Sequence, residues 1–387
     1  MPAEHGQRAA TVVRSVYVHA PFCVRRCLYC DFAVHVSRKG DLASWRDALA
    51  GELRAIDAEG LFALEEPLDT LYVGGGTPSL LGGEAMEALA AVLGRRRLAA
   101  PDLEWTAEAN PESLTPELAS AWRRAGLNRL SIGVQTFNAD ALRWMGRLHG
   151  AEGADQAVDV ARAAGFENLS VDLIFGLPGR LGRSWRNDLE RVLAMDLPHV
   201  SLYGLTVEAG TPLGRAVREG KEEPIDVQQY GDEYLLAAEL FVSAGYEHYE
   251  VSNFAKPGRR SRHNAVYWDG RPYLGLGNGA HSFADPVRRW NLRDWTAYRE
   301  RACAGTLPED DREAVDDDGR RLERLWLGLR AREGVPFTSL NDRQRSVANA
   351  WSGRGWTRTS KTALRLNAEG WLLLDELAVE LDGALTG

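Results

Sequence analysis

Short apolar runs alternate with segments of helical period over the first two thirds of the chain. "SVYVHA" (15–20) is brief and β-branched, as a buried strand is. "DTLYVGGG", "EWTAEANPE", "LNRLSIGVQ", "LSVDLIFGLPG" and "HVSLYGLT" repeat that character further on. "LSVDLIFGLPG" is nearly all apolar, which predicts a parallel strand buried on both faces. Between these runs lie amphipathic stretches, among them "ASWRDALAGELRAID", "EAMEALAAVLGRRR" and "SWRNDLERVLAMD". In "TPELASAWRRAG", Thr115 is set to cap a helix, Pro116 to open it and Gly126 to end it. "GADQAVDVARAAG" places Ala157, Val160, Ala161 and Ala164 on one face. Strand–helix alternation of this kind predicts an α/β fold with a parallel sheet, a partial (β/α)6 TIM-like barrel.

The pattern changes after about residue 215. "DVQQYGDEYLLAAELFVSAGY" predicts a long helix. "EHYEVSNFAKPGRRSRHNAVYWDGRPYLGLGNGAHSF" is rich in Gly, Asn and aromatics, and predicts strands and loops that extend the sheet. The last segment predicts a small helical domain with a winged-helix-like ending. The expected organisation is therefore a disordered leader over 1–14, the barrel over 15–215, the sheet extension over 216–312 and the C-terminal domain over 313–387.

Composition narrows the function. The chain has 387 residues and a formal net charge of −9, which argues against bulk binding to nucleic acid or anionic membrane. No apolar run is long enough for an integral membrane segment, and the start lacks the apolar core of a signal peptide. Four cysteines, three of them clustered, do not make a disulfide framework and point to a reducing cytoplasm.

The clustered cysteines carry the candidate chemistry. Cys23, Cys27 and Cys30 stand in "PFCVRRCLYCDF" with C-x₃-C-x₂-C spacing, and Cys303 in "YRERACAG" lies far away and reads as a small buried hydrophobe. Structural zinc takes four ligands, so a zinc site would need His19 or His35 at non-standard spacing. A 4Fe-4S cluster held by three thiolates keeps one iron open to a substrate or cosubstrate. The other unusual residues fall at the C-terminal ends of the predicted strands: Gly74–Thr77, Glu108–Pro111, Gln135, Asp172 and Tyr203. In barrels and half-barrels that edge carries the active site. Gly74, Gly75, Gly76 and Thr77 let the backbone approach a ligand or form a tight turn. Asp172 inside an apolar run needs a partner, either ligand hydroxyls or an arginine such as Arg129.

The three cysteines, together with "YVGGGTPSLL", "EANPESLT", "LSIGVQTFNADALRWMGRLH", "VDLIFGLPG" and "SLYGLTVEAGTPL", resemble the coproporphyrinogen III oxidase-like branch of the radical S-adenosylmethionine (SAM) superfamily, in order and over nearly the whole chain. The resemblance implies a radical SAM barrel in which Cys23, Cys27 and Cys30 bind a 4Fe-4S cluster. It implies that Tyr17, Tyr29, Gly74, Gly75, Gly76, Thr77, Glu108, Gln135, Arg147, Asp172 and Gly204 form the SAM site. The reduced cluster would cleave SAM to methionine and a 5′-deoxyadenosyl radical.

Two departures separate this chain from the oxidase itself. The oxidase carries a further cysteine where Phe32 stands here, and an N-terminal extension that this sequence lacks. The segment "RHNAVYWDG" resembles the H-N-x-x-Y-W motif of the HemW-type heme chaperones. That resemblance implies heme as bound cargo, an apo-haemoprotein acceptor and a homodimer. It also implies that His263, Tyr267 and Trp268 contact heme: a histidine can ligate the iron and the aromatics can stack on the ring. His281 in "GAHSF" is a weaker candidate. The alternative is a radical SAM enzyme, such as oxygen-independent coproporphyrinogen III oxidase, or another radical reaction on a tetrapyrrole.

Overall fold

The computed structural model describes residues 10–385. Its centre is a sheet of nine strands: β1 Ser15–Ala20, β2 Thr70–Gly75, β3 Glu104–Ala109, β4 Arg129–Gln135, β5 Asn168–Phe175, β6 His199–Gly204, β7 Glu247–Glu250, β8 Asn253–Ala255 and β9 Leu274–Leu276. Their order is β7-β8-β6-β5-β4-β3-β2-β1-β9. β1 to β6 run parallel in sequence order, each joined to the next by a helical connection, which is the predicted six-unit pattern. β8 adds antiparallel to β6 at one margin, and β9 adds parallel to β1 at the other. The predicted extension therefore covers both edges of the barrel sheet.

Six helices of the barrel are α1 Leu42–Glu59, α2 Ala85–Leu93, α3 Pro116–Ala125, α4 Ala139–Met145, α5 Gly153–Ala163 and α6 Trp185–Ala194. The outward side chains of the strands are apolar and fully buried, including Val16, Val18, Leu71, Val73, Leu130, Ile132, Leu169, Val171 and Leu173. They pack with helix residues such as Met86, Leu89, Trp122 and Leu189 in one continuous core. Burial of this kind contributes about 25 cal/mol per Å² of apolar surface and dominates stability. Thr115 caps α3 by accepting from the Leu118 amide, and Gly126 closes it at φ 114°. On α5 the buried face is Ala154, Ala157, Val158 and Ala161, so Val160 and Ala164 sit on its flank rather than at its centre.

The inward side chains are polar, because alternation along a strand sends every second residue inward. Ser170 and Asp172 take the inward positions of β5, so the strand that reads as all apolar is polar on one face. In register across the sheet, Glu108 lies beside Ser131, Ser131 beside Ser170, and Asp172 beside Ser201.

Beyond the barrel come α7 Pro212–Arg218, α8 Val227–Ser243, α9 Arg262–Trp268, α10 Trp295–Cys303 and α11 Asp317–Arg330. A second sheet of three antiparallel strands spans His281–Ala284, Val287–Asn291 and Glu309–Ala314. After α11, two helices (Asp342–Gly353 and Leu374–Gly383) flank a three-stranded sheet built on Ala363–Leu366, consistent with the expected winged-helix look. Two expectations are corrected. Thr11–Val13 of the expected leader form a strand parallel to Phe62–Leu64, while residues 1–9 lie outside the described residues. The H-N-x-x-Y-W segment is a helix, α9, because Ser261 caps it by accepting from the Asn264 amide.

Candidate functional site

The C-terminal edge of the parallel sheet opens into a cavity of about 390 Å³. Cys23, Cys27, Cys30 and Tyr29 line it from the loop after β1, and Gly75, Gly76 and Thr77 from the end of β2. Glu108, Gln135, Asp172 and Gly204 come from β3 to β6, and Arg147 follows α4. The strands thus bring together most of the residues singled out in the sequence.

The cysteine loop is held by backbone bonds. The Leu28 amide donates to Met145 O, the Leu213 amide to Leu28 O and the Ser37 amide to Cys23 O. The Thr77 hydroxyl lies 3.5 Å from Cys23 Sγ and accepts from Asn110 Nδ2 at 3.2 Å. Burial pushes the Cys23 thiol up to about 11 and raises that of Cys30. Among the described residues no three His, Cys, Asp or Glu side chains converge on one point, as a mononuclear zinc site requires. His19 is also committed, with its ring nitrogens at 3.0 Å from the Tyr17 hydroxyl and 3.0 Å from Ala33 O.

Around the thiols the polar groups are buried and incompletely used. Glu108 accepts from the Tyr72 hydroxyl at 2.8 Å and the Gly75 amide at 3.0 Å. Burial, followed by the charge of Asp172, pushes its carboxyl up to about 7. Asp172 accepts from Ser131 Oγ at 3.0 Å and does not form an ion pair with Arg129. Its carboxyl is also raised by burial, offset by Ser201 and Ser131. Arg147 donates through one terminal nitrogen to Asn110 Oδ1 and to Gly133 O, both at 2.7 Å, and its buried Nε has no partner. An orphaned guanidinium donor beside a cavity fits a ligand carboxylate. Gln135 sits at φ 67°, a left-handed conformation uncommon outside glycine, where a bulge interrupts the pairing of β4 with β5. Gly75 has φ 105°, and a Cβ there would lie 2.2 Å from the His19 ring. The glycine run is therefore needed to pack the cavity wall.

Five expected site residues lie elsewhere. Gly74 sits one residue behind the lining. Tyr17 is inside the barrel, its ring stacked on Tyr72 at 6.1 Å. His263, Tyr267 and Trp268 do not line the cavity: α9 packs beside Thr70 at the other end of β2, one ring away from Glu108 through Tyr72. His263 is 1% exposed. Its Nδ1 is 2.8 Å from Thr70 Oγ1 and its Nε2 is 2.9 Å from the Tyr267 hydroxyl. Burial and the Arg129 charge push it down to about 3, so the imidazole is neutral. Both ring nitrogens thus hold neighbours in the barrel, so His263 would have to release one of them to ligate iron. Trp268 instead lies under the Arg330 guanidinium at 4.0 Å, and Arg330 pairs with buried Glu250 at 3.0 Å. His281 is exposed and stacks on Trp290. Cys303 is exposed at the end of α10, not buried as expected.

Sequence reasoning did not single out Asn110 as the residue holding both Thr77 and Arg147, nor Tyr72, which holds Glu108. Alternation in "TLYVGG" already aims Tyr72 inward with Thr70 and Gly74.

Comparison with known proteins adds an independent line. The sequence model of the radical SAM superfamily matches residues 17–192. The heme chaperone HemW of Mycobacterium tuberculosis is 37% identical over 95% of this chain and 94% of its own length. The heme chaperone HemW of Bacillus subtilis is 33% identical over 94% of this chain and 98% of its own. The solved structure of coproporphyrinogen III oxidase (HemN) from Escherichia coli, a radical SAM enzyme by its description, superposes with a TM-score of 0.79. It covers 97% of this chain and 91% of that one at 22% identity, which shows the shared fold.

Proposed function

Because the chain belongs to the family of HemW-type heme chaperones within the radical SAM superfamily, we propose that it binds heme and delivers it to apo-haemoproteins. The observation that supports this reading most is the full-length relationship to HemW proteins together with a cavity that gathers three cysteines and an arginine whose Nε is unpaired. Cys23, Cys27 and Cys30 would hold a 4Fe-4S cluster. Arg147 would meet the SAM carboxylate, and Glu108, Gln135 and Asp172 its amino and hydroxyl groups, as acidic residues do in dinucleotide sites. When bound, the reduced cluster supplies the electron for SAM cleavage.

The protein's own residues set the stage for that chemistry. The cysteine loop, tied to Met145 and Leu213, holds its three thiols along the cavity wall. Asn110 fixes Arg147 and Thr77 relative to one another, so the carboxylate donor and the Cys23 neighbour keep one geometry. Tyr72 holds Glu108 with a donated hydrogen bond, which favours the ionised carboxylate against its burial.

We place the activity in a reducing cytoplasm, where thiols stay free. No helix among the described residues is long and apolar enough to cross a membrane. Dimerisation on cluster assembly is part of the same proposal. The oxidase reading is disfavoured by Phe32 in place of a cysteine.

The test is anaerobic cluster reconstitution followed by hemin titration and transfer to apomyoglobin. Stoichiometric hemin binding with transfer supports the chaperone reading. A cluster-loaded protein that ignores hemin and cleaves SAM on adding coproporphyrinogen III would replace it with the enzyme.

A further inference from the structure

A column of aromatic rings joins the cysteine loop to α9. Ala33, just past Cys30, carries the carbonyl that the His19 ring meets at 3.0 Å. The other nitrogen of that ring meets the Tyr17 hydroxyl, also at 3.0 Å. Tyr17 stacks on Tyr72, Tyr72 stacks on His263, and His263 meets Tyr267 edge-on, with centroids 6.1, 5.2 and 5.3 Å apart. Tyr72 is the branch point of this column. Its hydroxyl donates to Glu108 on the cavity wall while its ring bears on α9.

A second line of contacts ends on the same helix. Ser170 shares the inward face of β5 with Asp172. Its hydroxyl is 2.7 Å from His199 Nδ1, and His199 Nε2 is 2.8 Å from the Tyr249 hydroxyl. That hydroxyl accepts from the amide of Ser261, the α9 cap, at 3.2 Å. All four residues are buried. A close-packed interior does not absorb a displacement locally, and each broken bond in it leaves a polar group unpaired. A change at the cavity wall is therefore felt at α9.

Building on the SAM-site and heme-delivery reading above, we infer that Tyr72 is a positioning residue that couples SAM in the cavity to α9, the helix of the H-N-x-x-Y-W motif, and through it to the cargo. A ligand ammonium in the cavity keeps the Glu108 carboxylate ionised, and an ionised carboxylate is the stronger acceptor for the Tyr72 hydroxyl. The pinned ring then keeps His263 in the arrangement where Thr70 and Tyr267 hold it, and α9 stays closed. Without SAM the bond to Glu108 is weaker and α9 opens more readily. SAM thus loosens the hold of α9 on cargo, and by linkage cargo weakens SAM binding by the same factor.

The experiment is amide hydrogen exchange of the reconstituted full chain, read over residues 262–268 with and without saturating SAM, the cluster kept oxidised so that SAM is not cleaved. Wild type is expected to exchange there more slowly with SAM, by about threefold or more. Tyr72→Phe keeps the ring and removes the hydroxyl, so it is expected to fold and bind SAM but lose this response. If Tyr72→Phe loses its cluster, Glu108→Gln stands in for it: the acceptor stays, the charge goes, and the response is expected to vanish. In parallel, SAM is expected to speed hemin transfer to apomyoglobin about threefold or more in wild type and not in Tyr72→Phe. Exchange indifferent to SAM in wild type, or a response that survives in Tyr72→Phe, overturns the inference and leaves the chaperone reading standing. Transfer indifferent to SAM while α9 responds overturns its extension to cargo. A wild type that binds no SAM overturns the SAM-site reading and the inference with it. A wild type that binds no hemin overturns the chaperone reading, while the exchange measurement still decides the coupling.

Discussion

The Tyr72 ring lies against the His263 imidazole, with centroids 5.2 Å apart and planes inclined by 28°. His263 is thus part of the barrel floor: its ring faces Tyr72, its nitrogens hold Thr70 and Tyr267, and its amide donates to Glu104 at 2.9 Å. His263→Ala is expected to destabilise the fold by about 2–4 kcal/mol, through a cavity and two buried groups left unpaired. Hemin affinity is expected to stay within threefold of wild type. Chemical denaturation beside a hemin titration checks both; a large loss of hemin binding at unchanged stability would make His263 a heme ligand.

Cys30→Ser is expected to abolish the cluster, because three thiolates are already the minimum set. Iron and acid-labile sulfide should fall to near zero, while far-ultraviolet circular dichroism stays native, since the loop hangs on backbone bonds to Met145 and Leu213. Cys303→Ser, on an exposed helix end, should leave iron content unchanged.

Asp172→Asn keeps the shape of the side chain and removes its charge from the cavity. SAM affinity is expected to drop roughly tenfold to a hundredfold, the scale of one buried hydrogen bond to a charged group. Gln135→Gly is the complementary test. Glycine takes φ 67° without strain, so stability should hold or rise by about 1 kcal/mol while SAM affinity falls. Calorimetric SAM titration and thermal unfolding distinguish the two effects.

Glu52 on α1 supplies a pH signature. It is buried and accepts from the Gly277 amide at 2.9 Å, the Tyr298 hydroxyl at 2.6 Å and Asn291 Nδ2. Burial pushes its carboxyl up to about 7 from the ordinary 4.5, against those three donors. The folded chain therefore holds a proton that the unfolded chain releases, so stability falls as pH rises from about 4.5 to about 7, and the cost persists above that. Glu52→Gln removes the titration. Its unfolding midpoint relative to wild type should shift in the variant's favour, by up to about 3 kcal/mol, between pH 5 and pH 8.

Much of this was legible in the chain itself. The six parallel strands follow from brief β-branched runs between amphipathic segments, and the clustering of Cys23, Glu108, Gln135 and Asp172 follows from their places toward the C-terminal ends of those strands. What stayed hidden depended on neighbours far away in sequence. Periodicity does not show that β9 pairs with β1, or that Glu104 and Thr70 fasten α9 to the sheet floor. A motif can mark His263 as important without showing that its ring nitrogens are spent on Thr70 and Tyr267. Cys303 misled for a simpler reason: cysteine is usually buried, and the end of α10 happens to face water.

Both margins of the barrel sheet are finished by one later stretch, with Glu247–Ala255 along β6 and Leu274–Leu276 along β1. During synthesis the cysteine loop and the other cavity strands emerge first, and they must wait for residue 276 before the sheet loses its two raw edges. Until then β1 and β6 present unpaired backbone to any passing strand. A chain stopped at residue 215 is expected to aggregate and the full chain to stay dispersed, as sedimentation of the two would show. Cys23, Cys27 and Cys30 are thus among the first residues made, yet the sheet that positions them is finished only by some of the later ones.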